Sequence, residues 1–364
     1  MKKGWRHTCA TIAFALASSA GLSGCHSVDS WDNDYYGNFD ALWTILDEHY
    51  CFFEDKDVDW EQIGQKYRSE IDTEWDNRMF FDHCAAMLAE LKDGHTNLIS
   101  WFDVSYYNKW WSDYPQNFNL RLIEESYLDF NYSSGSGFIY KYLEDRNVGY
   151  ARYASFTSGV SDSFVDMMLL TMKEADGLVL DIRDNGGGDV TNVEKLVSHF
   201  INERILGGYI THKTGPGHNE FSEPYAFYID PASDHVRWLK PVIVLTNRST
   251  FSAANNFVAV MRNLPNVIIM GATTGGGAGM PFSSELPCGW GVRFSASPLY
   301  DSNMVLTENG IPPTPGAEVD LDPELALNGI DTMLEEAIKV LNEFAEQNKQ
   351  PEDTDVRSVL AKKE

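Results

Sequence analysis

Three short runs of apolar residues constrain the fold more than any other feature of the sequence. They lie at 177–181, 241–246 and 267–270, and helices are predicted after the first two at 190–202 and 252–262. An uninterrupted apolar strand indicates burial on both faces, as in a parallel sheet that helices cover. A strand at 148–153, a helix at 161–175 and a last amphipathic helix at 330–346 complete the pattern. We therefore predict an α/β core over residues 148–346.

The residues on either side of this core divide into three predicted parts. Residues 36–96 place apolar side chains at helical spacing, which predicts a small helical N-terminal domain. Residues 97–147 are aromatic and irregular, and we expect them to be a connecting segment with short β pieces. Residues 347–364 are polar and charged, and their composition predicts a disordered tail.

The first 25 residues have the layout of a bacterial lipoprotein signal. A positively charged start and a stretch of small and apolar residues precede Leu22-Ser23-Gly24-Cys25. This layout predicts a signal peptide at 1–24, lipid modification of Cys25 and a polar tether at 25–35. An ordinary signal peptide that contains a cysteine is the alternative. A lipid on Cys25 would anchor the protein to a bacterial membrane in the cell envelope, in the periplasm or at the outer membrane, without crossing the bilayer.

The net charge of −26 narrows the classes of partner. Nucleic-acid binding requires a basic surface, and the sequence contains no basic cluster, so no nucleic acid is expected as a partner. No apolar run reaches the roughly 18–20 residues of a membrane-spanning helix. The histidines are scattered and form no HExxH pattern, and CxxC is absent, so we predict neither a metal nor a cofactor.

The cysteines leave one question open. Cys51, Cys84 and Cys288 remain after the predicted signal peptide and lipid site are set aside. Cys51 and Cys84 both lie in the predicted helical region and could form a disulfide in an exported protein. The alternative is that these cysteines are buried free thiols.

Three loops combine polar residues with glycine or with the start of a helix. They are Asp-Gly-His-Thr at 93–96, Asp-Ile-Arg-Asp-Asn-Gly-Gly-Gly at 181–188, and Thr-Asn-Arg-Ser-Thr-Phe-Ser-Ala-Ala at 246–254. The second and third loops directly follow buried strands. In α/β sheets, ligands bind where the carboxyl ends of strands meet the amino ends of helices. We therefore expect these two loops to share one crevice.

Ser252 is the candidate nucleophile in the third loop. It stands at the predicted start of a helix, where free N–H groups and the helix dipole favour a developing oxyanion. A plain helix N-cap is the structural alternative. In the second loop, Gly186-Gly187-Gly188 can expose backbone N–H groups to a substrate because glycine tolerates positive φ. A tight turn is the alternative for these glycines.

A serine nucleophile needs a base and a group that orients the base. No lysine occurs between Lys240 and Lys339, so a lysine shortly after Ser252 is not available. His95 is the best substitute because imidazole exchanges a proton near neutral pH. Glu308 is the candidate for the orienting group.

The three loops, in this order, resemble those of the tail-specific (carboxyl-terminal processing) serine protease family over roughly residues 36–345. The resemblance implies a crotonase-like (Clp-protease-like) α/β core behind a small helical N-terminal part. It implies hydrolysis of peptide bonds in a peptide or protein substrate, with Ser252 as nucleophile. It also implies an oxyanion hole made by Gly187 or Gly188 together with Ala253.

Departures from the family pattern refine this resemblance. Gly277 stands where the family has its lysine, so the sequence is more similar to the tricorn core protease branch, which pairs serine with histidine. That branch implies His95 as base and Glu308 as supporting acid. Asn255 replaces the glutamate that often follows the serine motif. Only residues 97–147 separate the histidine motif from the first core strand, which is too short for a complete PDZ domain.

The alternative to a peptidase is a non-catalytic ligand-binding or scaffold protein on the same fold. The aromatic residues at 101–111 and Trp290 could line an apolar groove, or they could be ordinary packing residues. An intact pair of Ser252 and His95 favours the enzyme. The distance between these two side chains discriminates between the two hypotheses.

Overall fold

The computed structural model describes residues 31–347 and 356–362. The predicted signal peptide at 1–24, the lipid site at Cys25 and most of the tether therefore lie outside the described residues. The α-helices are α1 Tyr35–His49, α2 Trp60–Ser69, α3 Asn77–Ala89, α4 Lys109–Ser112, α5 Leu120–Ser126, α6 Asp162–Thr171, α7 Val190–Ser198, α8 Ala253–Met261, α9 Pro323–Leu327 and α10 Thr332–Gln347. The strands are β1 Asn97–Ile99, β2 Ser133–Gly135, β3 Phe138–Leu143, β4 Val148–Tyr153, β5 Gly177–Asp181, β6 Ile205–Ile210, β7 Tyr225–Ile229, β8 Val242–Thr246, β9 Val267–Gly271, β10 Gly279–Glu285 and β11 Gly291–Tyr300.

A six-stranded sheet in the order β2-β3-β4-β5-β8-β9 forms the centre of the fold. Strands β4, β5, β8 and β9 are parallel, and every residue of β5, β8 and β9 is buried. One face packs against α6, α7 and α8, and the other against α10. The uninterrupted apolar runs therefore do form a covered parallel sheet, and the predicted α/β class is confirmed.

The N-terminal helices begin in the same way and pack on a second sheet. Asp34, Asp59 and Asp76 each cap a helix by accepting the backbone N–H of its third residue, a role that aspartate fills well. The apolar faces of α1 to α3 share one core with Trp290 and Phe294 from the β10–β11 region. The second sheet has the order β1-β11-β6-β7, with β10 paired to β11.

The connecting segment adds strands to the central sheet, and part of the predicted disordered tail forms a short helix. Strands β2 and β3 are the short β pieces expected in the connecting segment, and they extend the central sheet: β2 pairs antiparallel with β3, and β3 pairs antiparallel with β4. Residues 356–362, inside the predicted disordered tail, form a 3-10 helix with Val356, Val359 and Leu360 buried against the core. Composition is a poor guide there, because three apolar side chains within five residues are enough to hold a short segment on an apolar surface.

Cys51 and Cys84 are free and buried, and Cys288 is free and half-buried, so the disulfide alternative is not realised among the described residues. No helix in residues 31–347 or 356–362 has both the length and the apolar character to cross a bilayer. The same residues contain no group of three or more His, Cys, Asp or Glu side chains placed to hold a metal ion.

Candidate active site

Ser252 and His95 meet at the edge of the central sheet. His95 follows the N-terminal helices, whereas Ser252 lies between β8 and α8. The Nε2 atom of His95 lies 2.9 Å from the Oγ atom of Ser252. This distance is within the range for proton transfer from a hydroxyl to a base. The two predicted partners, 157 residues apart in sequence, are thus in direct contact.

The turn at Ser252 holds its side chain in an uncommon backbone conformation. Ser252 has φ +58° and ψ −122°, although it is not glycine. The turn is held because the N–H of Ser252 donates to Gly276 O at 2.8 Å and the N–H of Phe251 donates to Asn185 O at 3.0 Å. The hydroxyl makes no capping hydrogen bond to α8. Such strain is common at functional sites, and the plain N-cap alternative does not describe this hydroxyl.

The glycine loop packs directly on the Ser252 turn. Gly187 has φ +93° and Gly188 has φ +143°. The N–H of Gly187 donates to Asn185 Oδ1 at 3.0 Å. The N–H of Gly188 has no protein acceptor in the described part of the chain. Ala253 is the first residue of α8, where backbone N–H groups precede the helical hydrogen bonds. Gly188 and Ala253 therefore fit the role of oxyanion donors better than Gly187 does.

Replacing Gly187 by alanine is expected to lower kcat/KM by about 100-fold or more. A Cβ atom at residue 187 would lie 2.7 Å from both Phe251 O and the Cβ of Ser252, at a positive φ that disfavours alanine. The glycine loop and the Ser252 turn must then move apart. Gly186→Ala is the matched control, because a Cβ atom there meets nothing within 4 Å. Steady-state kinetics of both variants test this expectation, and equal activities would contradict it.

His95 is buried and therefore neutral at physiological pH. Its side chain packs against Phe251, with 4.8 Å between ring centroids, and its backbone N–H donates to Asp93 Oδ1 at 2.7 Å. Burial lowers the pKa of His95 to about 4, although the Asp93 charge opposes this shift. Its Nδ1 atom is buried and has no hydrogen-bond partner among the described residues. A neutral imidazole with Nε2 facing a hydroxyl is the form that can accept a proton.

Glu308 is buried near this pair but does not contact the His95 ring. Its Oε2 atom accepts the N–H of Ala278 at 2.8 Å, and its Oε1 atom lies 2.9 Å from Lys56 Nζ. Burial and the charge of Asp93 raise the pKa of Glu308 to about 7, while Lys56 opposes this shift. The structure therefore brings Glu308 to the site without a direct hydrogen bond to Nδ1.

Lys56 is a residue of this site that sequence reasoning missed. It lies in Glu54-Asp55-Lys56-Asp57, a charged stretch that is typical of a solvated turn. Its side chain is nevertheless only 10% exposed, between Glu308 and Asp93. Nothing in the local sequence distinguishes it from a surface lysine, because its burial follows from the packing of distant segments.

A cavity of about 520 Å³ lies next to the catalytic pair: Gly94 and Phe251, the chain neighbours of His95 and Ser252, line it together with Glu308. Trp110 lines it and stacks on Phe251, with 4.1 Å between ring centroids. The Nε atom of Arg248 donates to Trp110 O at 2.6 Å and fixes this wall. Part of the aromatic segment at 101–111 thus borders the site, whereas Phe102 packs with Trp290 in the core. A cleft of this size next to the reacting pair can hold a few side chains of an extended peptide.

A serine at a strained strand-to-helix turn, a neutral histidine in contact with it and an adjacent glycine loop form an arrangement typical of serine hydrolases. The family model described as Peptidase family S41 matches residues 147–315, and that described as Tricorn protease C1 domain matches residues 32–89. The chain belongs to peptidase family S41, a family of serine-type peptidases. The predicted relationship to tail-specific proteases is thereby confirmed.

Similar proteins agree with this assignment. A crystal structure of a Parabacteroides merdae ATCC 43184 protein, provisionally assigned as a peptidase, is 49% identical with a TM-score of 0.81, covering 85% of this chain and 97% of that one. Mature CPAF has a TM-score of 0.69 at 13% identity, covering 87% and 98%, which shows the shared fold alone. The carboxy-terminal processing protease CtpA of Bacillus subtilis (strain 168) is 26% identical over 183 residues, or 50% of this chain and 37% of that relative. The chain therefore spans well under half of that curated relative.

Proposed function

We propose that this chain hydrolyses peptide bonds in peptides or proteins, with Ser252 as nucleophile and His95 as general base. The 2.9 Å contact between Ser252 Oγ and His95 Nε2 is the observation that supports this proposal most directly. The burial that keeps His95 neutral supports it further. A non-catalytic binding or scaffold role is the alternative, and it gives no reason for this contact or for the strained turn.

The proposed reaction has two halves. In the first, Ser252 Oγ attacks the scissile carbonyl carbon while His95 Nε2 takes the hydroxyl proton. The oxyanion then receives hydrogen bonds from the N–H groups of Gly188 and Ala253. The C–N bond breaks as protonated His95 gives its proton to the leaving amine, and an acyl-enzyme remains on Ser252. In the second half, water attacks the acyl carbon, His95 takes the water proton and returns it to Ser252 Oγ, and the carboxylic product leaves.

Covalent labelling tests the nucleophile. A fluorophosphonate probe should modify purified wild-type protein on Ser252, and peptide mass spectrometry should locate the adduct there. Ser249→Ala is the matched control because Ser249 lies in the same loop but outside the contact with His95. The proposal predicts that Ser249→Ala is labelled like wild type and that Ser252→Ala is not. Equal labelling of all three proteins would exclude Ser252 as the nucleophile.

We further propose that the peptidase is exported and anchored in the cell envelope by a lipid on Cys25. The lipobox-like sequence Leu22-Ser23-Gly24-Cys25 supports this proposal. The acidic composition is consistent with this proposal. Anionic lipid surfaces attract basic segments and repel acidic ones, so a covalent lipid, and not a basic patch, would have to hold this protein at a membrane. Metabolic labelling with a fatty acid should mark wild-type protein and not Cys25→Ser. Fatty acid in both proteins, or in neither, would overturn the anchor at Cys25 and leave the peptidase proposal unaffected.

A further inference from the structure

We propose that Lys56 is a positioning residue: through two buried carboxylates, it fixes the positions of Ser252 and His95 relative to each other. This inference rests on the proposed roles of Ser252 and His95. Lys56 lies in the turn between α1 and α2, so it comes from the N-terminal part of the chain. The carboxylates are Asp93, beside His95, and Glu308, beside the loop that holds Ser252.

The three charges form a compact buried group. Lys56 Nζ lies 2.9 Å from Glu308 Oε1 and 3.8 Å from Asp93 Oδ2, with side-chain exposures of 10%, 6% and 0% for Lys56, Glu308 and Asp93. The ammonium also donates to Lys92 O at 3.3 Å. The Oδ2 atom of Asp93 makes no hydrogen bond within residues 31–347 and 356–362, so the charge of Lys56 is its main compensation. Two adjacent buried carboxylates repel each other unless a cation lies between them.

Asp93 connects Lys56 to the proposed base, His95. Asp93 Oδ1 accepts the backbone N–H of His95 at 2.7 Å and so fixes the backbone from which the imidazole projects. The charge of Lys56 helps to keep Asp93 ionised, because it lowers the pKa of that carboxyl against the effect of burial. An ionised Asp93 accepts this hydrogen bond more strongly than a protonated carboxyl does.

Glu308 connects Lys56 to the segment that holds the proposed nucleophile, Ser252. Glu308 Oε2 accepts the N–H of Ala278 at 2.8 Å, and Glu308 O accepts the N–H of Gly277 at 3.1 Å. The preceding residue, Gly276, accepts the N–H of Ser252 at 2.8 Å. Glu308 therefore anchors the 276–278 segment that holds the Ser252 turn. Among the described salt bridges, Lys56 is the only group that contacts both Asp93 and Glu308.

Other titratable groups surround this cluster and all belong to its electrostatic environment. The charges of Asp93 and Glu308 reach Tyr50 and Cys51, whose pKa values burial raises well above their ordinary range. Arg293 and Lys56 both favour the neutral form of His95. While Asp93 stays ionised, the loss of Lys56 removes one of the positive charges that disfavour protonated His95, so the pKa of His95 should rise and the pH dependence of the reaction should shift.

The variant Lys56→Met keeps most of the length of the side chain and removes its charge. We expect kcat to fall about 10- to 100-fold with little change in KM, and the acid limb of the kcat/KM profile to move to higher pH. Lys66→Met is the matched control, because Lys66 forms an exposed ion pair with Glu90 at 3.7 Å. Its kinetics and pH profile should equal those of wild type.

The double variant Lys56→Met/Glu308→Gln guards against a folding defect, because it removes one of the two buried carboxylates that the single variant leaves without Lys56. We expect it to fold, to recover part of the lost kcat and to keep the shifted acid limb. The proposal fails if a folded Lys56→Met, or the double variant, has the kcat and the pH profile of wild type. In that case Ser252 still reacts with the fluorophosphonate probe, so the proposed function stands without the role of Lys56. If the probe does not react at Ser252 in wild type, the proposed function itself fails, and the inference about Lys56 falls with it.

Discussion

The variant Ser252→Ala is expected to hydrolyse peptides at the background rate. Loss of the nucleophile in a serine peptidase costs on the order of 10⁶-fold in kcat, and only transition-state contacts from the rest of the site remain. The fold should be unaffected, because the Oγ atom contacts His95 and does not cap α8. The backbone hydrogen bond from Ser252 to Gly276 does not depend on the side chain. Peptide cleavage assays with purified protein measure the loss directly.

Two comparisons make this result specific. Ser249→Ala should retain wild-type kcat, which separates the hydroxyl of Ser252 from general effects on the loop. Thermal unfolding of Ser252→Ala should match that of wild type, because alanine replaces serine at the same positive φ with a side chain of similar bulk. Residual activity of Ser252→Ala within tenfold of wild type would exclude the proposed nucleophile.

The second large effect is expected at His95. His95→Asn removes the proposed general base, and kcat should fall by at least about 10⁴-fold. His218→Asn is the matched control, because His218 contacts Asp47 at 2.9 Å and takes no part in the site. It should retain full activity. Similar losses in both variants would point to a general effect of replacing a histidine.

The pH dependence of wild type follows from the same histidine. Burial lowers the pKa of His95 to about 4, so the base stays neutral and active as the pH falls, until it approaches that value. The unfolded chain has a histidine pKa near 6.5 and binds one more proton between about pH 4 and 6.5. His95 therefore makes the folded state less stable as the pH falls through this window, and His95→Asn should remove this contribution. An acid limb of kcat/KM near pH 6.5 would contradict a buried neutral base.

Sequence patterns predict the parts of this fold in which one local signal suffices. Uninterrupted apolar runs indicate β5, β8 and β9, since burial on both faces leaves no other periodicity. The position of Ser252 at a helix start indicates a special turn. By contrast, the sequence predicts short β pieces within 97–147 but not their partners, because pairing depends on how the chain packs: β2 pairs with β3, and β3 pairs with β4.

The site divides in the same way. Family motifs point to Ser252 and His95, and the structure brings these two residues into contact. No sequence signal indicates that Lys56, in an acidic turn, lies beside Glu308, which follows 252 residues later. Charged residues are normally exposed, so their burial can be inferred only after the surrounding segments have been packed. Spacing along the chain likewise cannot predict whether Glu308 forms a hydrogen bond with His95, because that depends on the positions of the two side chains.

The site residues come from two segments that are far apart along the chain, and this affects when activity can begin. His95 and Lys56 follow N-terminal helices, whereas Ser252 and Glu308 belong to segments made much later. During synthesis the early part has no nucleophile, and until the two parts dock the serine has no base. If Ser252 and His95 act as proposed, hydrolytic activity arises only once both segments have folded together, so nascent segments of the chain meet no active protease. Correct folding would then control when the proposed activity begins.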